Sequence, residues 1–598
     1  MKQLTLFFCI LTLAGCASAP PRPTGIARGD YASSRAYIAK LIRHEMSRNS
    51  VEGLSIALVD DQRIVWAEGF GYADEEKNLP ATADTVYRVG SISKLFTDTA
   101  AMQLVEQGWF DIDQPLRHYV PGFSIRTRFA GAPEITPRHL MTHHSGLPRD
   151  RQKGFMTANP PPFAQLVDEL RDSDAAYPPN LVFSYSNLGI SLLGVAIQKQ
   201  GGLPFDEFMR RSLLVPLGMS NSSFDTGLSS SALAARGYRG RQAVVEPALR
   251  DVPAGGLNSS VADLSRFISM VFASGKSGNR QIVQAKTLAE MLRPQNAAVP
   301  LDFNFHAGLG WMLSTLGTSS IRNGGTVAHH SGATAYFHSQ MYILPEYKLG
   351  VVVLSNSSTS GRAVDHIATE ALTLALEAKT GIRQPEPFKM QPDARPLPSE
   401  TVQEYAGDYT TLAGFARIRT CGRGLCADVA DHGFDLVRGS DGLFRLDYSL
   451  LGIFRVDLGP LGEIGLSRRT VEGRELLVAR VGEQEMLVGE RIQPVSTPQA
   501  WRQYLGDYEI ADLEGDHKFV ERISLIEERG YLLVEVTPVE SYGIKQRIAL
   551  KPLSDSEGIL LGPLGDGGET VRSVTLDGKK RVQFSGYLLK KLSNSGNL

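Results

Sequence analysis

Ser91 and Lys94 stand three residues apart in the segment Ser-Ile-Ser-Lys, which opens a predicted helix that ends near Gly108. Residues at this spacing lie on one face of a helix, so the lysine amine can reach the serine hydroxyl. A serine hydroxyl attacks a carbonyl effectively only when a neighbouring base takes its proton. The partial positive charge at the helix N-terminus would stabilise the resulting oxyanion. Taken alone, the motif is more often a helix N-cap serine followed by an exposed lysine.

Tyr185 and Asn187 form Tyr-Ser-Asn just before the apolar, helix-like run 190–197. A phenol close to cations can take and return a proton. The asparagine amide can hold a substrate carbonyl and also bond Lys94. The alternative is a turn asparagine that caps the following helix, which the tripeptide in isolation favours.

His330, Gly332 and Ala333 lie in a predicted strand. The glycine would let a substrate backbone lie against the strand edge. The N–H of Ala333 could pair with that of Ser91 as an oxyanion hole. A lone histidine is otherwise a satisfied structural residue. Because His329 and His330 lack zinc-ligand spacing, we predict no metal site.

The same four letters, His-His-Ser-Gly, occur at residues 143–146. This copy follows the helix-like segment 136–142 and leads into Pro148. We therefore predict a loop with a structural role.

The order and spacing of these motifs resemble the serine β-lactamase and penicillin-binding-protein superfamily over about residues 35–380. The most similar branch is that of the class C β-lactamase relatives, namely D-aminopeptidases, D-alanyl-D-alanine carboxypeptidases and β-lactamase-like esterases. Further phrases that carry the resemblance are Leu140-Met-Thr-His-His-Ser-Gly-Leu-Pro148, Pro216-Leu-Gly-Met219, Pro253-Ala-Gly-Gly-Leu257, Asp263-Leu-Ser-Arg-Phe267 and Gly308-Leu-Gly-Trp311.

The resemblance implies an α+β catalytic domain in which an antiparallel sheet lies beside helices, with the active site between them. It implies that Ser91 is the acylated nucleophile and that Lys94 and Tyr185 are the general acid/base pair. Asn187 would position the substrate, and His330 would take the place of the third-motif cation. Water would complete the cycle by deacylation, without a metal or organic cofactor.

His330 departs from the family pattern, which usually has lysine at this position. An unperturbed histidine has a pKa near 6.5 and is mostly neutral at pH 7, so it grips a substrate carboxylate less well than lysine does. The substitution favours substrates without that carboxylate, such as esters or the N-terminal end of D-residue peptides. It also predicts that activity changes across roughly pH 5.5–7.5.

The first functional hypothesis is a serine hydrolase that acts on small-molecule or peptide substrates with amide, peptide or ester bonds. One alternative is a true β-lactamase or D-Ala-D-Ala carboxypeptidase. Another is a non-catalytic cell-envelope binding protein with this fold. The intact trio of Ser91, Lys94 and Tyr185 speaks against the last, because a binding module needs no base beside a serine.

The residue patterns divide the chain into three parts. These are a domain with mixed helix and strand patterns at 35–383, a linker at 384–398 with five prolines in fifteen positions, and a β-rich tail. Period-two alternation with glycine turns predicts antiparallel sheet in the tail.

The tail carries a short repeat, because Tyr405-Ala-Gly-Asp-Tyr409 recurs as Tyr504-Leu-Gly-Asp-Tyr508. Each copy stands at the start of a β-rich segment, which predicts two small β-barrels or sandwiches at 399–493 and 499–598. The D-aminopeptidase-like relatives also append two β-barrels to the catalytic domain.

The N-terminus has a basic start and an apolar run, Leu4 to Leu13, that is too short to span a bilayer. Its end, Leu-Ala-Gly-Cys16, resembles a bacterial lipobox. This predicts a signal peptide at 1–15, lipidation of Cys16, a tether at 16–34 and a place on the periplasmic face of the outer membrane, with lipid as the only membrane contact. The alternative is a plain secretory signal cleaved near Ala19.

Export would leave Cys421 and Cys426 as the remaining cysteines. In an oxidising compartment we expect them to form a disulfide, the alternative being two free thiols.

The 598 residues include 62 basic and 64 acidic side chains, 42% hydrophobic residues and 21% charged residues. These are ordinary globular values, which exclude disorder, collagen and a disulfide miniprotein. A net charge of −2 argues against a nucleic-acid partner, since phosphate binding needs a basic surface.

Overall fold

The computed structural model describes residues 18–313, 321–385, 391–393, 395–422, 424–450, 454–456, 460–539, 545–563, 567–576 and 578–592. The predicted signal peptide and Cys16 lie outside these ranges, as do parts of the predicted linker. Within the described chain, helices that combine the length and apolarity of a membrane span are absent.

The N-terminal domain is built on one antiparallel sheet. Its six strands, in spatial order, are Ala328–Ala333, His338–Leu344, Leu349–Ser355, Gly53–Asp60, Arg63–Asp74 and Leu79–Pro80. Leu349–Ser355 is buried along its whole length because it is an interior strand and helices cover both faces of the sheet. Ala328–Ala333 is an edge strand, which leaves one side of its backbone free for other contacts.

Two long helices, Tyr31–Asn49 and Gly361–Thr380, pack together on one face of the sheet. The larger apolar core lies on the other face, around helices Ser93–Glu106, Asn187–Gly201 and Val261–Phe272. The remaining short helices and turns are Gly90–Ile92, Leu116–Tyr119, Pro137–Met141, Phe163–Gln165, Leu166–Glu169, Leu170–Asp172, Phe205–Met209, Arg210–Leu214, Val215–Leu217, Val252–Gly255, Ala285–Met291 and Pro345–Tyr347. Short strands outside the central sheet are Tyr87–Arg88, Met156–Thr157, Ser223–Phe224, Gly237–Arg239, Gln242–Val244, Ala248–Leu249, Leu257–Ser259, Lys276–Ser277 and Arg280–Gln281.

The first barrel follows the helix Ser399–Tyr405. Its strands, in chain order, are Gly407–Thr411, Gly414–Cys421, Gly424–Val429, His432–Arg438, Phe444–Leu450, Gly465–Val471, Arg474–Val481 and Gln484–Ile492, with Phe454–Val456 paired on one edge and a short helix, Pro460–Glu463, after it. The first strand pairs with the last, and neighbouring strands pair throughout, so the sheet closes on itself. Cys421 and Cys426 are joined by a disulfide across the second turn.

The second barrel follows the short helix Gln499–Arg502. Its eight strands are Gly506–Ile510, Val520–Glu528, Tyr531–Pro538, Gln546–Pro552, Glu557–Leu561, Thr570–Leu576, Lys579–Phe584 and Tyr587–Lys591. They also form a closed antiparallel barrel. The predicted α+β domain followed by two β units is thus confirmed, and both units are barrels rather than sandwiches.

The repeated Tyr-x-Gly-Asp-Tyr motif makes the same contacts in both barrels. The hydroxyl of Tyr409 donates to the carbonyl of Tyr405 at 2.8 Å. In the same way, the hydroxyl of Tyr508 donates to the carbonyl of Tyr504. In the first barrel Asp408 pairs with Arg417 on the next strand, and Asp507 pairs with Arg522 in the second. The short sequence repeat therefore marks a structural repeat at the start of each barrel.

Candidate active site

Ser91 lies in the tight turn Gly90–Ile92, directly before the helix Ser93–Glu106. Gly90 has a φ of +54°, a conformation that favours glycine, and this lets the chain turn sharply out of the strand Tyr87–Arg88. The turn brings Ser91 to the wall of a large cavity.

Lys94 is fully buried, and its Nζ donates to Ser91 Oγ at 2.9 Å and to the Ala254 carbonyl at 2.8 Å. The spacing of three residues thus brings the amine and the hydroxyl into direct hydrogen-bond contact. Proton transfer between a nucleophile and its base needs this distance. The Ala254 carbonyl holds the amine from the other side and fixes its position.

The ring of Tyr185 lies beside this pair. Lys94 Nζ is 4.9 Å from the Tyr185 ring centroid, and the guanidinium carbon of Arg149 is 5.5 Å from it. Two cations therefore flank the phenol. The three residues that the sequence nominates for proton transfer thus lie together, with Ser91 and Tyr185 at the cavity wall and Lys94 buried behind them.

His143, in the loop to which the sequence gives a structural role, packs against the site. Its ring centroid is 4.2 Å from that of Tyr185, and its Nδ1 accepts a hydrogen bond from the Ser186 N–H at 3.2 Å. Burial, reinforced by the charge of Lys94, holds the pKa of His143 well below its ordinary value. A neutral imidazole thus supports the phenol from the side.

Asn187 also lines the cavity, but among the described residues it makes no hydrogen bond to Lys94, whose Nζ bonds Ser91 and Ala254. Ser186 is the N-cap of the helix Asn187–Gly201, so the alternative reading of Asn187 as the cap is wrong. The Asn187 Nδ2 donates to Asp150 Oδ1 at 2.8 Å.

Sequence reasoning missed Arg149 and Asp150, which also line the cavity. Burial raises the pKa of the Asp150 carboxyl, opposed by the hydrogen bond from Asn187 and the charge of Arg149. Both residues directly follow Pro148 in the loop that carries His143. That adjacency was the available signal, but no motif spacing identified them.

The edge strand Ala328–Ala333 runs along the Ser91 turn, and glycines allow the close approach. A Cβ added to Gly332 would lie 2.0 Å from the Val89 carbonyl oxygen and 3.0 Å from the Ser91 nitrogen. A Cβ added to Gly90 would lie 2.8 Å from the Ala333 nitrogen. The backbone N–H groups predicted to form an oxyanion hole thus belong to two segments packed tightly against each other.

We expect Gly332→Ala to lower kcat/KM by about a hundredfold, because a displacement of about 1 Å at a reacting group has a cost of this order. The added methyl would overlap the Val89 carbonyl and push the strand away from Ser91. Gly227→Ala is the matched control, since a Cβ there meets nothing within 4 Å. Steady-state kinetics of both variants provide the test, and equal kinetics would contradict the proposed contact.

His330 is nearly completely buried, with 3% of its surface exposed. Its Nδ1 lies 2.6 Å from the Ser331 carbonyl oxygen, so the proton of the neutral ring belongs on Nδ1. Nε2 is buried and has no hydrogen-bond partner among the described residues. Desolvation and the nearby charge of Lys94 lower the pKa of His330 to about 3.

This finding corrects the expectation that His330 titrates across roughly pH 5.5–7.5. With a pKa of about 3, the imidazole stays neutral throughout that interval. It therefore offers Nε2 as a hydrogen-bond acceptor, whereas the family's lysine offers a cation.

We expect the ratio of kcat/KM between wild type and His330→Gln to remain constant from about pH 5.5 to 7.5. The folded protein neither gains nor loses a proton at His330 in this interval, so removing the ring removes no titration. Conversely, because the unfolded chain takes up that proton near pH 6.5, His330 should reduce the free energy of unfolding as pH falls below about 6.5. Urea unfolding of both proteins at pH 5 and pH 7 checks the sign. A ratio of kcat/KM that changes tenfold across the interval would contradict the low pKa.

The cavity that contains the site has a volume of about 900 Å³. The first barrel contributes Met486 to its wall. The N-terminal domain contributes, among others, Ser91, Arg149, Asp150, Tyr185, Asn187, His330, Gly332 and Ala333. Much of the remaining wall comes from the second barrel. The three units thus share one cavity.

Comparison with known proteins places these features in context. The family described as Beta-lactamase matches residues 38–375. Protein flp of Staphylococcus aureus (strain N315) is 27% identical over 347 residues, which is 56% of this chain and 66% of that protein. The chain thus spans just under two thirds of that relative. Beta-lactamase-like protein 2 of Dictyostelium discoideum is 30% identical over 234 residues, 37% of this chain and 43% of that protein.

Among solved structures, that of SurE with D-Leu has a TM-score of 0.53 and 22% sequence identity. The match covers 77% of this chain and 100% of SurE. At this level of identity the similarity concerns the fold.

Proposed function

Because this chain belongs to the Beta-lactamase family and has the fold of its serine hydrolases, we propose that it cleaves ester, amide or peptide bonds through an acyl-enzyme on Ser91. The observation that carries the proposal is the 2.9 Å contact between Lys94 Nζ and Ser91 Oγ at the wall of a large cavity.

In the first half of the reaction, Ser91 Oγ forms a bond to the substrate carbonyl carbon and passes its proton to the acid/base pair of Lys94 and Tyr185, one member of which, the amine or the phenolate, must be deprotonated to receive it. The backbone N–H groups of Ser91 and Ala333 stabilise the oxyanion. The bond to the leaving nitrogen or oxygen then breaks, and that atom takes the proton. In the second half, water attacks the ester carbonyl, gives up a proton to the same pair, and Ser91 Oγ recovers one as it leaves.

The neutral His330 supports substrates that lack a carboxylate beside the scissile bond. A lysine would attract that carboxylate, whereas an imidazole whose Nε2 can only accept gains from a donor such as an N–H group. Esters and D-aminopeptidase-type substrates therefore fit this site better than penicillins or peptides that end in D-alanine. We also propose that the protein is exported and lipid-anchored through Cys16.

A substrate panel on the purified protein tests the proposal. Short esters and D-amino-acid amides should be hydrolysed with a higher kcat/KM than a chromogenic cephalosporin or a D-Ala-D-Ala peptide. Faster turnover of the cephalosporin would favour the β-lactamase alternative. Binding without turnover of any of these compounds would favour a non-catalytic binding protein.

We expect His330→Lys to shift this preference toward carboxylate-bearing substrates, because it restores a cation at the third motif. The ratio of kcat/KM for the D-Ala-D-Ala peptide to kcat/KM for a short ester should rise by about tenfold. A single charge interaction that stabilises the bound carboxylate by about 1.4 kcal/mol has an effect of this size. An unchanged ratio would show that His330 does not face the substrate carboxylate position.

A further inference from the structure

The cavity beside Ser91 continues into the interior of the second barrel. All eight strands of that barrel contribute side chains to its wall. Alternate residues point inward along the strand Tyr531–Pro538, where Val534 and Val536 line the cavity and Glu535 does not. The nucleophile and the barrel interior therefore share one continuous space, which we call the lumen where it lies within the barrel.

The far end of the barrel is filled, so the lumen opens on the side of the active site. Trp501, Leu532 and Leu550 belong to the apolar cluster inside the barrel but do not line the cavity. Trp501 is fully buried, and its Nε1 donates to the Ser554 carbonyl at 2.7 Å. The barrel thus has the form of a cup whose mouth faces Ser91.

The mouth is fixed on the N-terminal domain by hydrogen bonds to the loop that follows Asp150. These are Gly154 N to Asp516 Oδ2 at 2.9 Å, Thr157 Oγ1 to the Gly515 carbonyl at 2.9 Å, His517 N to the Met156 carbonyl at 2.8 Å and Gln152 N to Ser585 Oγ at 3.0 Å. Each of these bonds uses at least one backbone atom, so the alignment of the lumen with the active site is part of the fold.

The lumen wall is apolar, and several of its polar atoms are already engaged by the protein. The Tyr508 hydroxyl donates to the Tyr504 carbonyl, that of Tyr587 to Asp516, and that of Ser524 to Asp507. A peptide placed there would leave its N–H and C=O groups without partners, which is costly. A hydrocarbon chain has no such groups, and eight-stranded barrels of this kind have room for one small ligand.

We propose that the lumen binds the long, unbranched hydrocarbon chain of an ester or amide substrate whose carbonyl lies at Ser91. The proposal rests on the proposed function and narrows it to acyl or alkyl substrates with a long chain. Ile523, Val534, Val536 and Ile548 are only partly buried although they lie in a barrel interior, which leaves apolar surface for such a chain to cover.

The kinetic test uses two series of esters on the full-length mature protein, one with the acyl chain lengthened from two to ten carbons and one with the alcohol lengthened. In one series kcat/KM should rise about threefold for each methylene, or about a thousandfold over six, before reaching a plateau, because burial of a CH₂ contributes about this factor. The series that responds identifies the side of the scissile bond that enters the lumen. A flat profile in both series would overturn the proposal.

Ile548→Trp should abolish the rise of kcat/KM with chain length, because the indole fills the lumen that the chain would occupy. Lys551→Trp is the matched control, since Lys551 is exposed on the same strand. Equal chain-length profiles in the two variants would contradict a chain in the lumen. Val534→Trp is a second lumen variant, in case the first fails to fold.

Calorimetric titration of Ser91→Ala with fatty acids of 4, 8 and 12 carbons separates this proposal from the proposed function. Affinity should increase with chain length, and Ile548→Trp in the same background should remove the increase. Chain-dependent binding with no ester turnover by the wild type would reject the hydrolase and with it the assignment of the lumen to a substrate chain. Ester turnover with no chain-dependent binding would reject the lumen site alone.

Discussion

Ser91→Ala should lower kcat/KM for the best ester or amide substrate by about a thousandfold or more, the usual effect of removing a nucleophile that acts as a unit with its base. The variant should also lose labelling by a fluorophosphonate. Its fold should persist, because Ser91 lies at the cavity wall and, among the described residues, its hydroxyl makes one hydrogen bond, to Lys94.

Ser93→Ala is the matched control for this experiment. Ser93 lies two residues away, but its hydroxyl is buried and donates to the Gly90 carbonyl at 2.6 Å. This variant should retain fluorophosphonate labelling, although it loses some stability. Equal labelling of wild type and Ser91→Ala would contradict the assignment of the nucleophile.

Lys94→Met should reduce kcat/KM by about a thousandfold, within the range typical of a lost general base. Methionine has a similar length and suits a fully buried position, so the folded structure should remain. The variant loses both the proton acceptor for Ser91 and the hydrogen bond to the Ala254 carbonyl.

Lys199→Met serves as its control, since this lysine is exposed on the helix Asn187–Gly201. It should leave kcat/KM unchanged. Near-normal activity of Lys94→Met, with a circular dichroism spectrum and Tm that match the wild type, would exclude Lys94 as the base.

Local patterns in the sequence were sufficient to predict much of the architecture. The separation of three residues between Ser91 and Lys94 predicted their contact. The alternation of apolar and polar residues in the tail, together with the repeated tyrosine motif, predicted two β units. These signals are local because helix faces, strand pleats and turns repeat over a few residues. Whether each β unit closes into a barrel depends on pairing of its first and last strands, which no short pattern records.

The electrostatics and the shared cavity were beyond the reach of sequence reasoning. The pKa of His330 depends on burial and on the distance to Lys94, and both follow from the folded arrangement. Arg149 and Asp150 line the cavity because of the path of their loop. The continuation of that loop binds the mouth of the second barrel. The continuity between Ser91 and the lumen arises from contacts between segments more than 350 residues apart, such as Gly154 with Asp516.

Mapping of the trapped acyl group tests the central claim most directly. Trypsin cleaves after Arg88 and Lys94, so the peptide Val89–Lys94 contains Ser91 and Ser93 as its hydroxyl side chains. After rapid acid quenching during turnover of a slow ester, tandem mass spectrometry should find the acyl mass on Ser91 and nowhere in Ser91→Ala. An acyl group on Ser93 or on any other peptide, with Ser91 unmodified during turnover, would contradict the account.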